Sequence, residues 1–151
     1  VYGLDRRTRK LCRFYFRLSN YQQPVSFIDF CPPSPCYKFY VTAGARRADY
    51  RLVTLETSIE EQYSMLAKAG EHSIVRVSLT GEYRKFVDQA LDTLPASSVL
   101  VIERIQRDRG SEEYWKELMA DDRTGVSFDL YYCGVIFLNS AIIKQNYIVN
   151  F

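Results

Sequence analysis

Histidine is almost absent from this sequence of 151 residues, in which His72 is the only one. A Ser-His or Cys-His mechanism would have to use His72 as its base, and no nucleophile motif accompanies it. The seven glycines form no glycine-rich phosphate loop. We therefore expect no catalytic residue and no cofactor, and the sequence favours a protein that is not an enzyme.

An excess of one charge and long apolar runs are also lacking. Twenty basic and eighteen acidic residues leave a net charge of +2, which is too small for a global field to select a polyanionic partner. The longest apolar run, residues 133–138, is far shorter than the roughly 20 residues that cross a bilayer, and no signal-peptide pattern opens the chain. We expect no membrane span and a cytoplasmic location.

Cysteine is sparse too, with four residues in the chain. A domain of this size buries about 70% of its unfolded surface, so it needs no disulfide to be stable. Cys12 and Cys133 lie in apolar runs, where cysteine behaves as a small hydrophobe. The spacing of Cys31 and Cys36 is wider than in thioredoxin-like motifs, and no second pair completes a zinc site. The sequence therefore favours reduced thiols.

The chain shows no internal repeat and no low-complexity linker. Residues 1–151 are therefore interpreted as one domain, and residues 1–10 as a basic N-terminal tail.

The first half of the chain shows strand-like patterns. Residues 11–18 alternate between polar and apolar side chains, which predicts a half-buried strand, and residues 37–42 repeat this pattern briefly. Residues 25–31 are rich in strand-forming types. The prolines of residues 31–36 predict a stiff connecting loop. This half is predicted to be an antiparallel meander.

The middle of the chain predicts a strand–helix–strand unit. Residues 73–79 alternate as a strand, and residues 83–94 carry one apolar stripe at helical spacing that Pro95 ends. Residues 99–102 are apolar on both faces, as in a central parallel strand. Residues 73–105 therefore predict a right-handed βαβ unit.

Flanking segments complete the predicted fold. A capping box at Thr57 predicts a helix that ends near Gly70, and Ser111 is the predicted cap of another helix. Residues 126–138 and 142–151 predict two final strands. The fold class predicted is α+β: one domain with a mixed, mainly antiparallel sheet of six or seven strands and about three helices.

Basic and aromatic side chains indicate a partner-binding surface. Arginines flanking a tyrosine on a strand can contact phosphates while the ring stacks on a base, and tyrosine is enriched where proteins bind one another. Arginine also blunts edge pairing of strands with no partner present. The candidate residues for binding a protein or a nucleic acid are Arg13, Tyr15, Arg17, Arg46, Arg47, Tyr50 and Arg51.

Charged residues at strand ends give two further candidates. Asp29, Glu103 and Asp129 interrupt apolar strands and could share divalent metals for phosphoryl transfer if they converged, although isolated polar residues also occur at strand ends without any function. A second set follows a buried, parallel-type strand, where α/β sheets bind ligands. Its candidate anion-binding or ligand-binding residues are Arg104, Arg107 and Arg109.

The functional hypothesis from the sequence is a non-catalytic binding or assembly module that contacts a partner macromolecule through a tyrosine-rich sheet face and the arginine-bearing first strand. The alternatives are a nucleic-acid-binding protein and a metal-dependent phosphodiester or nucleotide enzyme. The expected partner is a protein. A homo-oligomer could form through an edge strand, either residues 142–151 or residues 11–18.

Overall fold

Helices alternate with strands along most of the chain. The computed structural model describes residues 4–150 and places within them five helices and seven strands. The helices are α1 (Arg6–Gln22), α2 (Cys36–Gly44), α3 (Ile59–Ala67), α4 (Tyr83–Thr93) and α5 (Arg109–Ala120). The strands are β1 (Ser26–Phe30), β2 (Asp49–Val53), β3 (Ile74–Val77), β4 (Val99–Glu103), β5 (Ser127–Asp129), β6 (Cys133–Phe137) and β7 (Asn146–Ile148).

The strands form one sheet in the order β2-β1-β3-β4-β6-β5-β7. Neighbouring strands from β2 to β4 are parallel, β6 is antiparallel to both β4 and β5, and β7 is parallel to β5. Helices cover both faces, so the fold is doubly wound α/β. The predicted α+β fold with a mainly antiparallel sheet and about three helices is therefore wrong. The strand–helix–strand unit of residues 73–105 is present as β3, α4 and β4.

The sheet separates two apolar layers. On one face, Ile28 and Phe30 of β1 pack with α3, α4 and α5. On the other face, Phe27 of β1 packs with α1 and α2. Every residue of β1, β3 and β4 is buried, as expected for parallel strands that helices cover on both sides.

Residues 11–18 belong to a helix and not to the predicted strand. Asp5 caps α1 by accepting a hydrogen bond from the Thr8 N–H at 2.7 Å. The buried residues of α1 recur at helical spacing and are Leu11, Cys12, Tyr15, Leu18 and Ser19. The apolar residues of this segment fit the two-residue period of a strand as well as the 3.6-residue period of a helix. Packing against α2 and the sheet stabilises the helix. Of the predicted basic tail of residues 1–10, residues 6–10 belong to α1, and residues 1–3 lie outside the described residues.

Residues 37–42 are likewise helical, since Tyr37 and Val41 are buried one turn apart in α2. Two predicted caps are displaced. The cap of α3 is Ser58, which accepts from the Glu61 N–H at 3.1 Å. The cap of α5 is Asp108, which accepts from the Ser111 N–H at 2.8 Å.

The C-terminal segments also differ from prediction. Residues 126–138 form the two strands β5 and β6, joined by a turn in which Tyr131 has a φ of 72°. The predicted strand of residues 142–151 is reduced to β7, and residue 151 lies outside the described residues. Among residues 4–150, no helix has the length and apolarity that crossing a bilayer requires.

The contact between Gly134 and Trp115 provides a test of how β6 packs against α5. A Cβ added at Gly134 would overlap the Trp115 ring, so we expect Gly134→Ala to lower the free energy of unfolding by about 1–3 kcal/mol through overpacking. The matched control is Gly110→Ala, whose added Cβ would meet its nearest neighbour at 3.5 Å. Thermal unfolding should show a lowered Tm for the first variant alone, and equal Tm values would contradict the packing described.

Candidate functional site

The carboxyl ends of β1, β3 and β4 meet at one edge of the sheet. The chain leaves β1 through α2 on one face, whereas it leaves β3 through α4 on the opposite face. The connections therefore diverge between β1 and β3. In open α/β sheets, ligands bind in the crevice at such a point, so this edge is the candidate functional site.

Two clefts adjoin at this edge, and Cys31 lines both. The first, which we call the proline cleft, has a volume of about 510 Å³ and lies beside the ends of β1 and β2. Its lining includes Pro32, Pro35, Leu52, Leu55, Lys38 and Glu56. The second, which we call the arginine cleft, has a volume of about 230 Å³ and lies at the ends of β1, β3 and β4. Its lining includes Arg7, Thr8, Ser78, Thr80, Arg104 and Arg107.

The loop between β1 and α2 separates the two clefts and is unusually stiff. It contains three prolines and no glycine in residues 31–35, and each proline fixes φ and lacks an N–H. The chain turns at Cys31, which adopts a φ of 51° and donates its N–H to the Val53 carbonyl at 2.8 Å. The Ser34 hydroxyl accepts from the Cys36 N–H at 3.2 Å. The loop therefore presents few unused backbone donors to a ligand.

A buried ionic network supports the strand ends beneath the clefts. Arg76 of β3 is fully buried, and its Nε donates to the Asp29 carboxylate. Its Nη2 donates to the Phe30 carbonyl at 2.7 Å and to the Ser78 hydroxyl at 3.0 Å. Its Nη1 lies 2.9 Å from Oε2 of Glu103, in a charge pair whose angle falls outside hydrogen-bonding geometry. One guanidinium therefore ties β1 and β4 to β3.

Three tyrosines complete the network. The hydroxyls of Tyr15 and Tyr37 donate to Glu103, the second at 3.2 Å, and the hydroxyl of Tyr50 donates to Asp29. Burial, followed by the nearby carboxylates, raises the pKa of all three tyrosines above the usual value. They therefore remain protonated donors at neutral pH.

The acids of this network are poorly placed to act as bases. Burial raises the pKa of Asp29, although Arg76 and Tyr50 oppose this shift. Glu103 lines the arginine cleft, but Arg76, Tyr15 and Tyr37 already occupy its oxygens. Burial also raises the pKa of the Cys31 thiol, which disfavours a reactive thiolate. The network fixes geometry and offers no unoccupied acceptor for a proton.

Sequence reasoning missed Arg76, which is the centre of this site. Its only signal is a charge within the otherwise apolar segment Ile74–Val77. A buried cation between two buried strands requires acidic partners on the neighbouring strands. Asp29 and Glu103, each near the end of an apolar run, were the partners that this rule would have indicated.

The predicted metal site does not form. Asp29 and Glu103 come together, but around Arg76, while Asp129 accepts from the Gln106 side chain and the Tyr131 N–H. In the part of the chain that the structure describes, no group of three or more His, Cys, Asp or Glu side chains could hold a metal ion.

Not all of the predicted partner-binding residues are free on the surface. Tyr15 is buried, and the Tyr50 hydroxyl donates a hydrogen bond to Asp29. Arg51 forms a salt bridge with Asp49 at 2.8 Å. The remaining members are exposed on α1 or in the α2–β2 connection and are Arg13, Arg17, Arg46 and Arg47.

The predicted anion-binding set is divided. Arg104 and Arg107 line the arginine cleft. Arg109 instead lies on α5, where its side chain is 92% exposed and pairs with Glu113 at 3.3 Å. Arg7, which sequence analysis placed in a tail, joins the first two from α1.

No protein-family model matches this sequence, and no curated protein matches it. Solved structures do share the fold. Cofactor-bound Rv0187 from MTB superposes with a TM-score of 0.64 over 91% of this chain and 82% of that chain, at 8% identity. The O-methyltransferase from Bacillus cereus in complex with SAH superposes with a TM-score of 0.60 over 90% of this chain and 82% of that chain, also at 8% identity.

A third structure with the same fold is the release-factor-specific protein-(glutamine-N5) methyltransferase from Alicyclobacillus acidocaldarius. It gives a TM-score of 0.54 over 89% of this chain and 91% of that chain, at 12% identity. At these identities the likeness shows the fold. Because two of these structures are named as methyltransferases, the likeness contradicts the interpretation of the chain as a non-catalytic binding or assembly module and as a nucleic-acid-binding protein. The metal-dependent alternative fails on geometry, because Asp29 and Glu103 surround Arg76 and no group of three such ligands forms within residues 4–150.

Removal of the Arg76 charge tests the buried network. We expect Arg76→Met to lower the free energy of unfolding by about 3–5 kcal/mol at pH 7, because two buried carboxylates lose their counter-charge. Without this cation, the pKa of Asp29 rises further in the folded state, so the folded variant binds more protons than its unfolded state does. The loss in free energy of unfolding, relative to the unsubstituted protein, should therefore shrink as the pH falls from 7 towards 4. Urea unfolding at several pH values measures both effects.

The control for this prediction is Arg84→Met, which removes an arginine whose side chain is 55% exposed and paired with Glu117. We expect it to cost less than about 1 kcal/mol. Should Arg76→Met fail to fold, the triple variant Asp29→Asn, Arg76→Met and Glu103→Gln should recover folding, since no buried charge remains. Equal losses for the two single variants, or a deficit that does not change with pH, would contradict the network's role.

Proposed function

We propose that this chain is a methyltransferase that uses S-adenosylmethionine, with the cofactor's nucleoside end in the proline cleft and the methyl acceptor in the arginine cleft. The observation that carries this proposal is the pair of adjoining clefts at the point where the chain connections diverge. This is the position at which folds of this type bind ligands. The likeness to methyltransferase structures supports the choice of reaction.

The loop between β1 and α2 decides which cofactors fit. Dinucleotides need glycines here, so that the backbone can approach their pyrophosphate and donate N–H groups to it. Three prolines and the absence of glycine remove that possibility. S-adenosylmethionine carries no phosphate, so it does not need those donors. The sharp turn that glycine would provide is made by Cys31 at a φ of 51°.

The proline cleft suits a nucleoside. Pro32, Pro35, Leu52 and Leu55 give it apolar walls for a flat ring. Glu56 follows β2, in the position where an acidic residue binds ribose hydroxyls in doubly wound folds. Its carboxylate is close enough to Cys31 to contribute to that thiol's raised pKa, after the larger effects of burial and of Asp29.

When bound, S-adenosylmethionine supplies a methyl group on a positively charged sulfur, which an acceptor atom attacks to leave the neutral thioether S-adenosylhomocysteine. The residues of the chain would position the acceptor and not move its proton. Ser78 and Thr80 offer hydroxyls to the acceptor, while Leu79 and Pro33 give the arginine cleft an apolar wall. The Arg76 network holds the ends of β1, β3 and β4 at fixed separations, which favours a fixed reaction geometry.

We also propose a cytoplasmic location for the chain. All four cysteines are free thiols, which supports a reducing compartment.

Equilibrium binding tests the proposal directly. Isothermal titration calorimetry should show saturable binding of S-adenosylhomocysteine and no binding of NAD, because the loop lacks donors for a pyrophosphate. Glu56→Gln should weaken S-adenosylhomocysteine binding about tenfold, since a hydrogen bond to a charged group contributes about 1.5–3 kcal/mol.

The matched control is Glu60→Gln, which alters an exposed glutamate in the first turn of α3 outside the cleft lining. It should leave the affinity unchanged. Absence of S-adenosylhomocysteine binding, or preferential binding of NAD, would reject the proposed function.

A further inference from the structure

We propose that Arg7, Arg104 and Arg107 form the acceptor site and that the acceptor is a small organic anion carrying a carboxylate or a phosphate. The role of the anion as methyl acceptor rests on the proposed function, whereas anion binding by these arginines is argued from the structure of the cleft itself.

The three arginines come from separate parts of the chain to one cleft. Arg7 lies in the first turns of α1, while Arg104 and Arg107 lie in the turn that follows β4. The backbone shape of this turn is fixed, because the Arg104 N–H donates to the Tyr132 carbonyl at 2.9 Å and the Arg107 N–H donates to the Arg104 carbonyl at 3.1 Å. Arg104 also adopts a left-handed φ of 58°. A non-glycine residue in this conformation is strained, and such residues are enriched at functional sites.

A neighbouring cleft of about 230 Å³ is lined by the same three arginines together with Gln106, Tyr131 and Tyr132. The cations therefore stand between two depressions, and both depressions could hold parts of one small molecule. Each depression has room for one carboxylate or phosphate group with a short attached scaffold.

The positive charge of the arginines is only partly neutralised locally. Hydrogen bonds with Thr8 and, to a smaller extent, the charge of Arg7 lower the pKa of the Asp5 carboxyl, so Asp5 lies near Arg7. Neither Arg7 nor Arg104 forms a salt bridge with any residue that the structure describes. Arg107 has a partial partner in Asp108, at 3.1 Å, but that carboxylate also caps α5. Glu103, at the floor of the cleft, is already shared by Arg76 and two tyrosines. A ligand with negative charge would find guanidinium groups that lack a full counter-charge.

The lack of an available base points to the same class of acceptor. Among the described residues that line the arginine cleft, Glu103 is the only carboxylate and there is no histidine. The Cys31 thiol has a raised pKa because it is partly buried. Methyl transfer to a neutral hydroxyl would release a proton that no side chain of the cleft is placed to accept. Transfer to an anion releases none, and arginines favour the anionic form of a bound acid.

Titration of anions without cofactor tests this inference. The probes are benzoate and inorganic phosphate, with benzamide as the neutral counterpart of benzoate, and binding is followed by NMR chemical shifts at low ionic strength. We expect benzoate and phosphate to bind, benzamide not to bind, and added salt to weaken binding. Arg7→Gln and Arg104→Gln should each weaken binding of the anions about tenfold.

The control variant is Arg109→Gln, which removes the same charge from the start of α5, at a position that lines neither cleft and is paired with Glu113. It should leave anion binding unchanged, and circular dichroism should show that all three variants are folded. If Arg7→Gln and Arg104→Gln do not weaken binding, or if benzamide binds as well as benzoate, the inference is wrong.

A second titration separates the inference from the proposed function. Benzoate should bind equally well with and without saturating S-adenosylhomocysteine, because the two ligands occupy adjoining clefts. Competition between them would mean that the arginines hold the carboxylate of the cofactor, which overturns the acceptor assignment. Anion binding without S-adenosylhomocysteine binding would reject the proposed function and the acceptor role, while binding of S-adenosylhomocysteine alone would reject only the arginine site.

Discussion

The guanidinium of Arg76 is the charge on which the arrangement of the sheet's carboxyl edge depends. Placing an arginine in an apolar layer is very unfavourable unless its charge is balanced and its donors are bonded. Two carboxylates balance the charge of Arg76, and Nε and Nη2 donate to Asp29, Phe30 and Ser78, while Nη1 has only its ion pair with Glu103. This requirement also specifies register, because Arg76 stands opposite Asp29 in the β1–β3 pairing. A slip by one residue would turn Arg76 to the other face, into the layer of Ile28 and Phe30.

The same network links the fold to the candidate site. Its three charged members, Asp29, Arg76 and Glu103, are the last or second-to-last residues of β1, β3 and β4, directly before the loops that line the clefts, so these loops start from fixed points. Helix α1 adds to this arrangement from outside the strand–helix–strand succession, because Tyr15 anchors it to Glu103 while Arg7, two turns earlier, reaches the arginine cleft. One helix thereby serves both the buried layer and the edge of the sheet that holds the clefts, which is how Arg7 and Arg104, 97 positions apart in sequence, come to line one cleft.

The parts of the fold that sequence could predict are those in which local and long-range preferences agree. The helix before Pro95 carries a single apolar stripe, and β4 is apolar on both faces, so β3, α4 and β4 follow from pattern alone. The segment of α1 satisfied both the strand and the helix period, and only packing against α2 resolves it. Once α2 was taken as a strand, the crossover helix that joins parallel β1 to β2 was lost, and with it the fold class. Arg104 and Arg107 were accessible from the rule about strand ends, whereas Arg7 required knowledge of α1.

The stiffness of the β1–α2 connection has a consequence for how a ligand would enter. Because three of its five residues cannot change φ, this segment has little freedom left to lose, and the entropic penalty of ordering a flexible flap on association is largely absent. The entrances of the two clefts beside this loop would therefore keep nearly the same shape before and after a ligand binds. Selection among small molecules would then depend on dimensions and charge set in advance, and exchange would proceed without a slow closing motion of this segment.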